Sequence, residues 1–426
     1  MLLRKYKNLL ENKEDLALFD AITVKMIFTF VLFKELILIK LNDYEKSIAQ
    51  KIKDLKNASG SHSPSIFTLA EKIPELHIKI DSCFLSNPYA TALFLRYLKE
   101  ELIDSQKLRS VLEFYPSQNN IIAKTVADFI GINPKNVFIG NGALEIIQAV
   151  MHNFVGKKII INIPTFSSYY EFAKKETRVV YYQLSKENNY NLDTEHYLNF
   201  VKNENPDSVV LINPNNPDAG YIDYEKLRYI LSELKHIKNI IIDESFIHFA
   251  YEDREYNLIN IEQLFKEFNN TIIIKSMSKD FGVAGIRIGF AIMQEEKVRD
   301  LLKNGYLWNS CGLSEYFLRL YVRKTFFDEY EKVRKGYIQE TQDFFRKLSE
   351  IKQFKVYPSM ANFCLVELLD GSFSADFVAK MLIKYGIYMR TCNDKIGLKG
   401  EFVRIASRTL EENDMILKSL CDVFKE

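Results

Sequence analysis

Ser276-Met277-Ser278-Lys279-Asp280-Phe281-Gly282-Val283-Ala284-Gly285-Ile286-Arg287-Ile288-Gly289 follows directly on the apolar run Thr271-Ile272-Ile273-Ile274. That run has the length and branching of a buried strand, so an amine stands at its carboxyl end. A lysine placed there is able to condense with an aldehyde. Ser276, Ser278 and Arg287 lie on the same loop, and two hydroxyls with a guanidinium suit a phosphate dianion. An isolated Ser-x-x-Lys reads equally well as a surface loop. The whole string reads as a binding site.

Outward from this loop, short Ile/Val-rich runs alternate with longer amphipathic segments, the rhythm of an α/β protein with a mainly parallel sheet. Val137 to Ile139 leads into Gly140-Asn141-Gly142, and Ile159 to Ile163 into Pro164-Thr165-Phe166. Ser208 to Ile212 leads into Asn213-Pro214-Asn215-Asn216-Pro217, and Ile240 to Ile242 into Asp243. Open α/β sheets bind ligands beyond the carboxyl ends of their strands, so these endings are expected to converge on one crevice. From about Asn309 the pattern turns helical and amphipathic, then gives short strands near Phe363 to Leu368 and Phe402 to Ile405. Residues 1 to about 57 are charged and helical in pattern and run into Asn57-Ala58-Ser59-Gly60-Ser61-His62-Ser63-Pro64, a linker-like stretch. The expected organisation is a helical extension over 1–60, a large domain with an arm over 61–310, and a smaller α+β domain over 311–426.

A chain of 426 residues with 47% apolar content can bury one large core and a smaller one. With 57 basic against 56 acidic residues there is no broad positive field, so nucleic acid and anionic membrane surfaces are not expected partners. The five cysteines are scattered without a Cys-x-x-Cys pair, which argues against a zinc site and a secreted disulfide framework, and fits a reducing cytoplasm. Leu16 to Leu41 is apolar, but Lys25, Lys34, Glu35 and Lys40 interrupt it. Its longest uncharged core, Met26 to Phe33, is short of the roughly 20 residues that span a bilayer, so it reads as a helix packed on protein.

The lysine loop resembles the cofactor-binding signature of fold-type-I pyridoxal-phosphate enzymes of the class I/II aminotransferase superfamily, with the aspartate-aminotransferase-like fold, and the resemblance covers about residues 62 to 426. It implies pyridoxal 5'-phosphate as cofactor, Lys279 as its covalent attachment point, and Ser276, Ser278 and Arg287 as ligands of its phosphate. Asp243 closes a three-isoleucine strand, where a lone carboxylate is costly without a cationic partner, although aspartate at a strand end also serves as a helix cap. By resemblance it faces the ring nitrogen, where a negative charge keeps the ring protonated and electron-withdrawing. Asn216 corresponds to a donor to the ring's 3-hydroxyl group, and Phe166 to a ring stacked on the cofactor. By the same resemblance, Gly142 and Ala143 open a helix whose free N–H groups would complete the phosphate cradle. Tyr89 matches a tyrosine that reaches the cofactor phosphate of a neighbouring subunit, which implies a homodimer with shared active sites.

The cofactor apparatus alone does not choose a reaction. Arg390, Arg404 and Arg408 lie in Ile387 to Asn393 and Phe402 to Thr409. Arg404 matches the general substrate-anion arginine. Arg408 stands where histidinol-phosphate aminotransferases usually carry a glycine, and the pattern resembles threonine-phosphate decarboxylase, as do Phe246 in place of a tyrosine, and His62 followed by Asn87, which correspond to contacts with a substrate phosphate. The bland alternative is that these arginines pair with local acids such as Glu401, Glu411 and Glu412, and that His62 is a surface residue. Phe-Gly-Val-Ala-Gly-Ile-Arg and Tyr89 are closer to aminotransferases. The expectation is a decarboxylase of O-phospho-L-serine or O-phospho-L-threonine yielding an amino-alcohol phosphate such as ethanolamine phosphate. The alternative is an aminotransferase acting on a phosphorylated substrate, similar to histidinol-phosphate aminotransferase.

Overall fold

The computed structural model of the protein describes residues 39–58 and 62–425. Most of the apolar segment expected as a helix between Leu16 and Leu41 lies outside the described residues, as do residues 59–61 of the linker.

The strands are β1 Ile80–Asp81, β2 Val137–Gly140, β3 Lys158–Ile163, β4 Arg178–Gln183, β5 Ser208–Ile212, β6 Asn239–Asp243, β7 Thr271–Ser276, β8 Gly289–Ile292, β9 Phe354–Val356, β10 Phe363–Leu368, β11 Ile387–Tyr388, β12 Arg390–Thr391 and β13 Phe402–Ala406. Seven of them form one sheet in the order β2-β8-β7-β6-β5-β3-β4. Pairing is parallel from β7 through β6, β5 and β3 to β4. The exception is β8, which runs antiparallel to both of its neighbours. Alternate residues enter two different cores: Ile160, Val209, Leu211, Ile240, Ile242 and Ile273 on one face, and Ile159, Ile161, Val210, Ile241, Ile272 and Ile274 on the other. Burial on both faces is why these strands read as unbroken Ile/Val runs rather than as an alternation.

A second sheet, β12-β13-β10-β9, is wholly antiparallel. The strands expected near Phe363 to Leu368 and Phe402 to Ile405 form its centre. The long helix Lys324–Ser349 leads into it, and the helices Ser374–Tyr385 and Leu410–Val423 pack on it around Phe377, Met381, Ile416 and Leu420.

The segment before residue 86 joins this second layer. β1 pairs in parallel with β11, with Ile80 opposite Ile387 and Asp81 opposite Tyr388. The helix Asp43–Ala58 begins with a reciprocal cap, Asn42 N–H donating to Glu45 Oε2 at 2.8 Å and Glu45 N–H to Asn42 Oδ1 at 2.9 Å. Glu45 also takes Lys380 Nζ at 2.8 and 2.9 Å. Ile48, Leu69, Ile73 and Leu382 close an apolar cluster beneath. The described part of the N-terminal extension is therefore docked on the helix Ser374–Tyr385.

Candidate active site

The carboxyl ends of β6 and β7 open into a cavity of about 230 Å³. His62, Ala143, Phe166, Asn216, Asp243, Ser276, Ser278, Lys279, Arg287, Arg390 and Arg404, eleven of the fifteen residues singled out from sequence, line it. Convergence of strand ends from across the chain is what the topology dictates.

Asp243 is buried at the end of β6. Its Oδ1 accepts from Ser245 N–H at 2.9 Å and from the Ser245 hydroxyl at 2.5 Å, and its Oδ2 accepts from the Tyr169 hydroxyl at 2.9 Å. Burial pushes its pKa above the ordinary carboxylate range, while Ser245, Tyr169 and the charge of Lys275 pull the other way. Three donors stabilise the anion, and a cation opposite would complete it.

Lys279 follows β7 by three residues. Burial, then Arg404 and Arg287, lower its amine to about 8, against the pull of Asp243 and Asp81. Its backbone is fixed by the arm: Asn87 N–H donates to the Lys279 carbonyl at 2.8 Å. Gly282 has φ +65°, and a Cβ there would meet the Asn87 carbonyl at 2.3 Å, so only glycine lets the arm seat on the loop. Behind the loop, Lys275 and Asp280 form a buried ion pair at 2.7 Å.

Beside the lysine, the helix Ala143–Asn153 starts after Gly142, which has φ +80°. A Cβ on Gly142 would lie 2.5 Å from Arg287 Nη2, so the arginine rests directly on this glycine. Arg287 Nη1 also reaches Ser278 Oγ at 3.5 Å and the Ala284 carbonyl at 3.0 Å. First-turn N–H groups, Ser276, Ser278 and Arg287 together make a cradle suited to a phosphate dianion.

Asn216 is positioned by the turn before it. Asn215 Nδ2 donates to the Pro164 carbonyl at 2.9 Å, and the Thr165 hydroxyl to Asn215 Oδ1 at 2.9 Å, tying two strand-end loops together. Asn216 Oδ1 then accepts from Arg404 Nη1 at 2.7 Å. Arg404 Nη2 donates to the Cys83 carbonyl at 2.7 Å, and its Nε is buried with no partner among the described residues. Arg390, on the neighbouring strand, holds Asp394 at 2.8 Å and contacts Ser63. His62 is exposed at the mouth, its ring 5.9 Å from that of Phe166. Desolvation lowers its pKa, with Arg390 and Lys395 adding to the effect against Glu171 and Asp394, so it is neutral near pH 7.

Four residues lie beside the lining rather than in it. Gly142 backs Arg287. Asn87 caps the helix Pro88–Leu98, its Oδ1 accepting from Tyr89 and Ala90 N–H, and its Nδ2 is buried without a partner among the described residues. The Tyr89 hydroxyl donates to Glu340 Oε2 at 2.6 Å and accepts from Leu410 N–H at 3.0 Å. Arg408 pairs with Glu412 at 3.3 Å and donates to the Ser86 carbonyl at 3.3 Å, the local acid pairing that an amphipathic segment allows.

The sequence reading missed Tyr169, Ser245 and Lys395. Tyr169 comes three residues after Phe166 in the post-β3 segment, and Ser245 is two residues past Asp243, so both had a local signal. Lys395 had little beyond its closeness to Arg390.

Residues 86–420 match the family described as Aminotransferase class I and II. An L-serine phosphate decarboxylase of Campylobacter jejuni subsp. jejuni serotype O:2 is 89% identical over 389 residues, which is 91% of this chain and 100% of that protein. An L-serine phosphate decarboxylase of Sulfurospirillum multivorans is 48% identical over 372 residues, 87% of this chain and 95% of that one. The solved structure of a decarboxylase from Sulfurospirillum multivorans superposes with a TM-score of 0.83 at 46% identity, covering 89% of this chain and 99% of that one. With a mostly parallel sheet and a strand-end lysine beside an anion cradle, the chain belongs to the aminotransferase class I and II family.

Proposed function

We propose that the protein is a pyridoxal-phosphate-dependent decarboxylase of O-phospho-L-serine that releases carbon dioxide and ethanolamine phosphate. The carrying observation is that one cavity presents two separate groups of cations to Lys279. Arg287 rests on Gly142 in the cradle, and Arg404 with Arg390 comes from paired strands of the second sheet. A phosphorylated cofactor and a phosphorylated substrate need two such groups. The 89% identical relative bears the name L-serine phosphate decarboxylase, which favours serine over threonine.

The residues fit pyridoxal phosphate. Ser276, Ser278, Arg287 and the N–H groups after Gly142 would hold its phosphate, Phe166 would cover its ring, Asn216 would meet its 3-hydroxyl group, and Asp243 would face its ring nitrogen. When bound, this cofactor supplies an electron-withdrawing ring that accepts the electron pair left behind by departing carbon dioxide. Asp243, with Tyr169 and Ser245 donating to it, holds a proton at that nitrogen. Arg390, Arg404 and His62 fix the substrate phosphate, with Asn87 and Arg408 at its edge, and so orient the bond to be broken. The Lys279 amine, lowered to about 8, exchanges a proton near neutral pH and returns one to the α-carbon. Phe246, packed on Phe363 at 5.1 Å between ring centroids, lines the cavity with carbon.

The active form is proposed to be a cytoplasmic homodimer with shared sites. Leu112, Phe114, Tyr115, Leu307 and Trp308 are all exposed in the single chain. Trp308 adjoins Asn309, which bonds Glu145 in the first turn of the cradle helix at 3.1 Å. An apolar patch of this kind favours burial against a second copy near the cofactor end. The five cysteines are free, and among the described residues no helix is long and apolar enough to cross a membrane.

The test is a substrate panel. Holoenzyme should release carbon dioxide from O-phospho-L-serine with a kcat/KM at least about a hundredfold above that for L-serine, since charge-assisted contacts to the phosphate are absent for the latter. Equal turnover of the two would refute recognition through phosphate.

A further inference from the structure

We infer that Lys395 is a ligand of the substrate phosphate, completing with Arg390 and Arg404 a site that selects a dianion. This rests on the reading of the cavity as a site for a phosphorylated amino acid, and it adds a residue that no motif identifies.

Three cationic side chains line this end of the cavity, Arg390 from β12, Lys395 from the loop beyond it and Arg404 from β13, and Lys56 from the helix Asp43–Ala58 stands behind them on Thr391 and Asp394. Among the described residues, the carboxylate paired with them is Asp394. It takes Arg390 Nη2 at 2.8 Å and Lys56 Nζ at 3.0 Å, while Lys395 Nζ is 4.0 Å away, at the limit of an ion pair. Asp81, which acts on Lys279, is occupied by the N–H groups of Cys83 and Phe84, both at 3.0 Å, and Glu171 acts on His62. Arg404 has only neutral oxygens, those of Asn216 and Cys83. Lys395 Nζ donates no hydrogen bond among the described residues, yet its side chain is only 3% exposed and lines the cavity.

A buried ammonium without close partners is costly, and two guanidinium groups beside it raise that cost. Burial and Arg390 lower Lys395 to about 8, and burial and Arg390 lower Arg404 to about 10. A carboxylate monoanion would leave positive charge uncompensated, since Asp394 is already spent on Arg390 and Lys56. A phosphate dianion between Lys395 and Arg404 compensates both and returns each to its ordinary charged state.

The experiment compares wild-type, Lys395→Met and Lys395→Arg holoenzymes, with the cofactor filling its own cradle. Two quantities are read: steady-state kinetics with O-phospho-L-serine, and binding of inorganic phosphate by titration calorimetry. Lys395→Met should raise KM and the phosphate Kd by about tenfold or more, with kcat changed by less than about threefold and the cofactor absorbance unchanged. Lys395→Arg should recover most of both losses. KM and phosphate Kd within about twofold of wild type in Lys395→Met would overturn the assignment, as would a fall in kcat alone. Should Lys395→Met fail to fold, Lys395→Gln gives the same reading. Wild-type enzyme that binds phosphate through Lys395 but leaves phosphoserine intact would instead overturn the proposed reaction.

Discussion

The Tyr169 hydroxyl donates to Asp243 Oδ2 at 2.9 Å, inside the protein and at the end of β6. This bond and the two from Ser245 offset the burial that works against the carboxylate anion. Removing a donor from a buried charge costs about 1.5–3 kcal/mol. Tyr169→Phe should therefore weaken binding of pyridoxal phosphate by roughly tenfold or more, read by absorbance titration of the apo-protein, with little change in fold. Unaltered affinity would mean that Asp243 does not depend on this bond.

Gly142 and Arg287 cannot both keep their places if the glycine gains a side chain. Gly142→Ala places a methyl group 2.5 Å from the guanidinium at φ +80°. Cofactor affinity should drop by about tenfold or more through displacement of Arg287, and a parallel drop in Arg287→Ala would trace both losses to the same cradle. Wild-type affinity in Gly142→Ala would show that Arg287 has room to move.

Lys279 is held at about 8 against an ordinary 10.5, so the fold disfavours its charged form. In the unfolded chain the amine keeps its proton up to the higher value. The penalty is therefore fully present below pH 8 and disappears as pH rises from about 8 to 10.5. Lys279→Met should abolish turnover, yet stabilise the apo-protein by about 3 kcal/mol at pH 7. The gain over wild type should shrink across that pH window in denaturant titrations. A destabilised variant at pH 7 would contradict the sign.

The helix Asp43–Ala58 reaches the site through Lys56, which donates to Thr391 Oγ1 at 2.6 Å and to Asp394 Oδ1 at 3.0 Å. Lys56→Met releases part of Asp394 toward Lys395, where it competes with the substrate anion. KM for phosphoserine should rise by about threefold to tenfold, while stability changes by no more than about 1 kcal/mol, the worth of a partly exposed pair. An unchanged KM would show that this helix supports the fold without tuning the site.

The readable parts of the molecule were those whose signal is local. Ser276 to Arg287 carries the amine, two hydroxyls and the arginine within one loop, and strands buried on both faces announce themselves as Ile/Val runs. Edge strand β4 went unnoticed because its burial is broken by exposed Arg178, Tyr181 and Gln183. β8 is only four residues long, and its antiparallel direction is a property of its pairing. Lys56 meets Asp394 across 338 positions, and Lys395 becomes unusual only when Arg390 and Arg404 arrive from two other strands. No spacing along the chain encodes such encounters. Arg408 shows the converse: a prominent motif position that within one chain is engaged by Glu412 and Ser86.

The most direct measurement is turnover of O-phospho-L-serine by holoenzyme with no keto acid present. Carbon dioxide and ethanolamine phosphate should appear in equal amounts over many cycles, and Lys279→Met should give neither. A reaction that stops after one cycle with the cofactor in its amine form, and resumes only when 2-oxoglutarate is added, would identify a transaminase and contradict the decarboxylase reading.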